Sequence, residues 1–427
     1  MKVSKLLGVA LPLAFAASLT AAETLGEADT SAPAKNQEPQ TASNQPRAMH
    51  VRPGAGSGMQ QTPTPQGQAS GATPLMWAAD KGDLVLMKRM LDEGEDPNAP
   101  DANGSTALAR AAGAGHTEAM TLLIEAGAAI DSTDNWGGTP LIYAVKGSQP
   151  QAARLLIDRG ANVNRALNKN RMTPLIMAAF RGDNEMVGLL LDRGAKIEQA
   201  NSGGVTALMS AIDKRHSETA SLLIERGADV NATSHSGTTP LRYAASANDA
   251  ALILQLVARG ATVDAVDRLG LTPLFHASAA GKINSVGALL DAGADINRTG
   301  GPNQATALMA AAGAGKTAAV QLLLERGAKT DMQDERHGST ALIWAAGREH
   351  ADIVKTLLAH GAKPDIVDKA GRTALMIAVD RSNEQIVKTL LAAKADPGIK
   401  DLAGKTARDR ASDKDLEAIA KLLGSAQ

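Results

Sequence analysis

From residue 73 onward the chain repeats at a fixed interval. The triplet Thr-Pro-Leu or Thr-Ala-Leu begins at Thr73, Thr106, Thr139, Thr173, Thr206, Thr239, Thr272, Thr306, Thr340 and Thr373, and a degenerate copy, Thr-Ala-Arg, begins at Thr406. Successive starts lie 33 or 34 residues apart. A unit this short cannot bury an apolar face alone. The copies must stack, each against its neighbours, to make one continuous core.

Each column of the repeat has a physical reason. A Thr hydroxyl can accept from an early backbone N–H and so cap a helix. Pro74, Pro140, Pro174, Pro240 and Pro273 follow directly, at the one helical position where a missing N–H costs nothing. A short first helix comes next, as in LMWAAD, and a turn about nine residues after the Thr, marked by Gly82, Gly115, Gly182, Gly281 and Gly315. A second helix carries a Leu-Leu pair and ends at Gly94, Gly127, Gly160, Gly194, Gly227, Gly260, Gly293, Gly327 and Gly361, where a left-handed C-terminal cap suits Gly. An extended finger such as ADVNATSHSG leads to the next copy. The tenth copy has Lys394 where the cap Gly belongs. The three 34-residue copies place their extra residue in fingers, around RALNKNRM, RTGGPNQA and DERHGS.

The unit GTTPLRYAASANDAALILQLVARGATVDA, Gly237 to Ala265, resembles an ankyrin repeat along its whole length, and the resemblance covers residues 71–423. It implies an all-α ankyrin-repeat solenoid over residues 71–427: ten full repeats, a truncated and more polar C-terminal capping repeat, and β-turn fingers. It also implies a protein-binding surface formed by a concave groove and finger tips. One departure is systematic. The family's Thr-Pro-Leu-His places His three residues after the Thr, bonded to finger backbone. Here that position holds Met76, Ala109, Ile142, Ile176, Met209, Arg242, Phe275, Met309, Ile343 and Met376. Apolar packing is expected to replace the polar pin, with looser fingers as the alternative.

The first 22 residues read as a secretory signal: Lys2 and Lys5, then an apolar run from Leu6 to Leu19, then small residues at Thr20 and Ala22. The run is short for a membrane span and contains Pro12, so no span is expected after cleavage. Residues 23–70 are rich in Pro, Gly, Gln, Ser and Thr, and read as a disordered linker. An exported protein is expected, periplasmic if the source is a Gram-negative bacterium, with full secretion as the alternative. There is no Cys, so thiol catalysis and thiolate metal sites are excluded. Without Lys2 and Lys5 the chain keeps 42 Lys and Arg against 45 Asp and Glu, which argues against a nucleic-acid partner.

Chemical motifs do not survive the repeat phase. AAAGAGKT, Ala310 to Thr317, matches a relaxed phosphate loop, but such a loop follows a buried strand. Here a first helix precedes it, and Lys316 shares its column with His116, His216 and His350. Those three His sit three and four repeats apart, too far to ligate one ion. No His is paired with Ser and Asp by any motif. The expectation is no enzyme, no cofactor and no metal.

What remains is surface. Four residues after each Thr stand Trp77, Arg110, Tyr143, Met177, Ser210, Tyr243, His276, Ala310, Trp344 and Ile377. The column holds four of the seven aromatic residues outside the signal, and aromatic anchors mark binding hot spots. The alternative is that it packs between repeats. Lys and Arg recur seven and eight residues after the Thr, including Arg181 and Arg348, diluted by Asp80, Asp213 and Asp380. Trp136 lies at a finger tip in DNWGGT. The candidate partner-binding residues are therefore Trp77, Trp136, Tyr143, Arg181, Tyr243, His276, Trp344 and Arg348. A monomer that binds another protein is expected. The alternatives are an enzyme with a site in the groove and a general envelope or stress scaffold.

Overall fold

The computed structural model describes residues 71–424. The expected signal (1–22) and linker (23–70) lie outside the described residues. Eleven helix pairs follow one another, from Pro74–Lys81 and Leu84–Asp92 in repeat 1 to Ala407–Asp413 and Glu417–Gly424 in repeat 11. Among the described residues there is no strand, only one isolated bridge between Gly300 and Ala305. No described helix is long and apolar enough to cross a membrane.

The Thr column does what its chemistry dictates. Every repeat Thr is a first-helix N-cap, its hydroxyl accepting the backbone N–H three residues on at 3.1 to 3.4 Å. Such a cap is worth about 1 kcal/mol, and here the contribution recurs in each repeat. The nine cap glycines after the second helices adopt φ between 83° and 95°, and Lys394 takes the same left-handed conformation at φ 63°. The three longer repeats absorb their extra residue in the finger, where Arg171 (φ 54°) and Gln304 (φ 50°) turn the chain.

The core is a double layer. In the first-helix layer the Leu two residues after the Thr is buried in repeats 1 to 10, the Ala five residues after it is buried in every repeat, and the next residue is a buried Ala, Val, Ile or Ser in repeats 1 to 10, as at Leu108, Ala111 and Ala112. Leu, Ile, Val and Met fill the second layer, as at Met120, Leu123, Val320 and Leu357. Small residues let helix axes approach closely. At most junctions the first helices accordingly lie closer together than the second helices do. Gly147 shows how tight that layer is: a Cβ there would sit 2.2 Å from the Gly113 carbonyl oxygen of the preceding repeat.

Candidate functional site

Fingers and first helices meet through one recurring carboxylate. An Asp stands at the base of six fingers: Asp101, Asp134, Asp267, Asp334, Asp368 and Asp401. Its Oδ1 closes the turn by accepting backbone N–H groups: Asn103 and Ser105 for Asp101, Trp136 and Gly138 for Asp134, Leu269 and Leu271 for Asp267. Its Oδ2 takes a donor from the following first helix, four residues after the Thr. Arg110 reaches Asp101 at 2.9 Å, the Tyr143 hydroxyl reaches Asp134 at 2.7 Å, and His276 Nε2 lies 2.7 Å from Asp267. Trp344 Nε1 donates to Asp334 at 2.9 Å, and Arg410 pairs with Asp401. In the one remaining case that position is the buried Ile377, and Arg372 supplies the donor to Asp368 instead.

The position three residues after the Thr is indeed largely apolar and buried. The polar pin is not lost, however. It has moved one residue along the helix and grips the finger carboxylate rather than finger backbone. Its electrostatics follow from burial set against hydrogen bonding. Burial would raise the carboxyl pKa of Asp101, Asp267 and Asp401, but backbone N–H groups and Arg110, His276 or Arg410 outweigh it and hold each below its usual range. Burial, reinforced by the Asp134 charge, pushes the Tyr143 hydroxyl up to about 12, so it stays a donor.

Adjacent fingers are also joined directly. The N–H of Asn135 donates to Asn103 O, Asn168 to Trp136 O, Arg268 to Ser236 O and Lys369 to His337 O, at 2.7 to 3.1 Å. The finger edge is thus a hydrogen-bonded ribbon, pinned to the first helices through its Asp residues.

The eight candidate residues fall into three environments. Trp77 and Trp136 are exposed, at 44% and 53%. The Trp136 backbone is held by Asp134 and Asn168 while its indole stands in solvent. Tyr143, Tyr243 and Trp344 are half-buried; the Trp344 ring covers Gly313, where a Cβ would lie 2.5 Å from its Cε3. His276 is buried, edge-on to Phe275 and bonded to Asp267. Arg181 is exposed and Arg348 half-buried. Trp136 and Tyr143 share Asp134, and Arg348 sits one turn beyond Trp344 on the same helix face, so these pairs are brought together. The remaining candidates stand in separate repeats.

The turn between helices contains a second coupling. Where the turn residue is Gly, the next repeat places a long side chain over it. His116 covers Gly82, Gln149 covers Gly115, His216 covers Gly182, Lys316 covers Gly281 and His350 covers Gly315. His116 and His216 also bond carbonyls of the repeat before, Asp80 O at 3.1 Å and Phe180 O at 3.2 Å. Where the turn residue is Ser148, Arg215 or Glu349, the next repeat instead supplies Asp183, Asp249 or Asn383, which cap their own second helices. Gly315-Lys316-Thr317 is one instance of this spacing. A helix, Ala307–Gly313, precedes it, and the Lys316 stem lies along Gly281.

Helix pairs, Thr caps and pinned fingers in this order define an ankyrin array. Models of ankyrin repeats match residues 75–166, 161–234, 231–300 and 300–368, and a single-repeat model matches 370–402. The chain belongs to the ankyrin-repeat family. Among solved structures it is similar to the ankyrin repeat domain of Bcl-3, described as a unique member of the IkappaB protein family, at 28% identity and a TM-score of 0.47, over 52% of this chain and 100% of that one. No curated protein matches the chain.

Proposed function

We propose that this chain is an exported, non-enzymatic binding module that holds a partner protein on its finger edge and the adjoining first-helix face. Ankyrin arrays generally serve as protein-interaction modules, which sets the class. The observation that carries the reading is Trp136. A large apolar side chain stands in solvent at 53% exposure on a turn whose backbone is fixed by three hydrogen bonds, from Trp136 N and Gly137 N to Asp134 and from Asn168 N to Trp136 O. A pre-organised aromatic anchor loses little entropy on binding. Tyr143 shares Asp134 with Trp136, Arg181 ends the first helix of repeat 4, and Trp77, Trp344 and Arg348 carry the same first-helix columns in repeats 1 and 9. Export rests on the signal-like pattern of residues 1–22, with the periplasm as the destination in a Gram-negative cell.

The test is capture by the full tagged chain from the exported fraction of its own cell. A stoichiometric partner protein is expected, with at least about tenfold weaker binding for Trp136→Ala, the loss of one central anchor. Unchanged binding by Trp136→Ala would remove the finger edge from the site. Recovery of the chain only in the cytoplasm, with its first 22 residues intact, would refute export.

A further inference from the structure

The finger edge is chemically one-sided. The carboxylates at the finger bases lie beneath the tips: Asp134, Asp334, Asp368 and Asp401 are buried, and Asp267 is covered by His276. The cations that reach solvent at the tips of repeats 3 to 9 are Lys169 and Arg171 in repeat 3, Arg268 in repeat 6, Arg336 in repeat 8 and Lys369 in repeat 9. All five are exposed, and none forms an ion pair with a described carboxylate. Lys369 bends only onto the Glu335 carbonyl. At the tips of repeats 3 to 9 Glu335 is the one exposed carboxylate among the described residues; the exposed Glu198, Asp229, Asp295 and Asp365 stand at the other end of their fingers, next to the second helices.

The first-helix face continues this pattern. Lys146, Arg181, Arg348 and Arg381 have no carboxylate partner among the described residues, whereas Asp213 is paired with Lys214 and Asp380 with Arg410. The matching negative charge stands on the second helices and the loops after them, as at Glu118, Glu185, Glu218 and Asp352. A chain with a formal net charge of −1 thus turns unpaired cations to one side. Apolar side chains lie among them: Leu269 is 58% exposed beside Arg268, and Trp136 lies on the finger before Lys169.

We infer that the partner presents an extended acidic segment with interspersed apolar side chains, laid along the fingers of repeats 2 to 9. This rests on the binding-module reading and names the chemistry of its partner. Unpaired cations steer and register a chain of carboxylates, and Trp136 and Leu269 seat its apolar residues. Finger spacing fixes the length. At about 10 Å per repeat, the cations from repeat 3 to repeat 9 span about 60 Å, which an extended chain covers in about 18 residues. A single-stranded nucleic acid would use the cations and stack a base on Trp136, but it would leave the aliphatic Leu269 without a partner.

The test selects random 18-residue peptides displayed on phage against the full chain. Selected peptides should be rich in Asp and Glu with Leu, Phe or Trp between them. The combined variant Lys169→Glu, Arg171→Glu, Arg268→Glu, Arg336→Glu, Lys369→Glu should bind a selected peptide at least about tenfold more weakly, and the wild-type affinity should fall with salt. The corresponding five-fold Gln variant should lose less, and it serves as the readout if the Glu variant does not melt like the wild type. Peptides without acidic excess, acidic peptides indifferent to the Gln variant, or an absence of selected peptides would overturn the inference. So would displacement of the peptide by an equal concentration of single-stranded DNA, which would assign the edge to nucleic acid. If a partner protein is captured whose binding ignores both charge variants, the module reading stands and the acidic segment falls; if none is captured, the module reading itself fails.

Discussion

Asp334→Ala tests the pinned-finger architecture most directly. Asp334 is 1% exposed; its Oδ1 accepts the His337 N–H at 2.6 Å and its Oδ2 accepts Trp344 Nε1–H at 2.9 Å. Both are charge-assisted bonds, each worth about 1.5–3 kcal/mol. Truncation strands a turn amide in the finger and an indole N–H that is only half-buried. Water can reach the indole and recover part of its loss, so the expected destabilisation is about 3 kcal/mol rather than the full sum. Because each repeat touches only its neighbours, the loss should appear as earlier unfolding of repeats 8 and 9. Urea denaturation followed by helical circular dichroism and Trp fluorescence reads both effects. Glu335→Ala, next door but exposed, should change stability by less than about 0.5 kcal/mol. Trp344→Phe removes the same donor from the other side, so the double variant should show a coupling of about 1 kcal/mol with Asp334→Ala. A loss below about 0.5 kcal/mol for Asp334→Ala, or strict additivity with Trp344→Phe, would refute the pin.

Three further outcomes follow from the same geometry. The carboxyl pKa values of Asp101, Asp267 and Asp401 are held below the usual 3.8, so their stabilisation is complete above that value and disappears as pH falls through the folded-state pKa. The urea midpoint should therefore fall with acid below about pH 4, and the combined Asn variant should flatten that slope; an unchanged slope would remove these groups from the linkage. Lys394→Gly should raise stability by about 1 kcal/mol, since Lys394 holds φ 63° where the other repeats use Gly, and a loss on chemical denaturation would contradict the strain. Gly147→Ala should cost about 1–3 kcal/mol, because its Cβ would press on the Gly113 carbonyl, while Gly188→Ala, open on all sides and helical, should gain about 0.5–1 kcal/mol; equal effects in thermal melts would show that first-helix spacing is not set by these glycines.

The Thr column, its Pro neighbours and the cap glycines are local signals. Each acts within one turn of backbone, so its partner is three or four residues away and the sequence displays both at once. The period alone therefore determined the helices, their caps, the finger insertions at Arg171 and Gln304, and the place of Lys316 at a turn between two helices. The column four residues after each Thr could not be settled the same way. Whether Tyr143, His276 and Trp344 face solvent, a neighbouring helix or a finger depends on how the finger folds back over the helix that follows it.

A trace of that arrangement was present in the chain. Asp101, Asp134, Asp267, Asp334 and Asp401 are followed nine or ten residues later by Arg110, Tyr143, His276, Trp344 and Arg410, all donors. The fingers at Leu167, Asn201, Ser234 and Gly300 have no base Asp, and three of them are followed by Met177, Ser210 and Ala310. The fourth is followed by Tyr243, and the sixth Asp by Ile377, so the pattern is incomplete on paper and only the bond from Arg372 to Asp368 explains the second exception. The pairing of Gly82 with His116, or Gly281 with Lys316, reaches across a whole repeat and has no local partner to betray it. Local hydrogen-bond chemistry wrote the repeat into the sequence. The tertiary stack decided which side chains are consumed in holding fingers to helices, and which, like Trp136 and Arg268, are left facing solvent, because burial is a property of neighbouring backbones rather than of any single column.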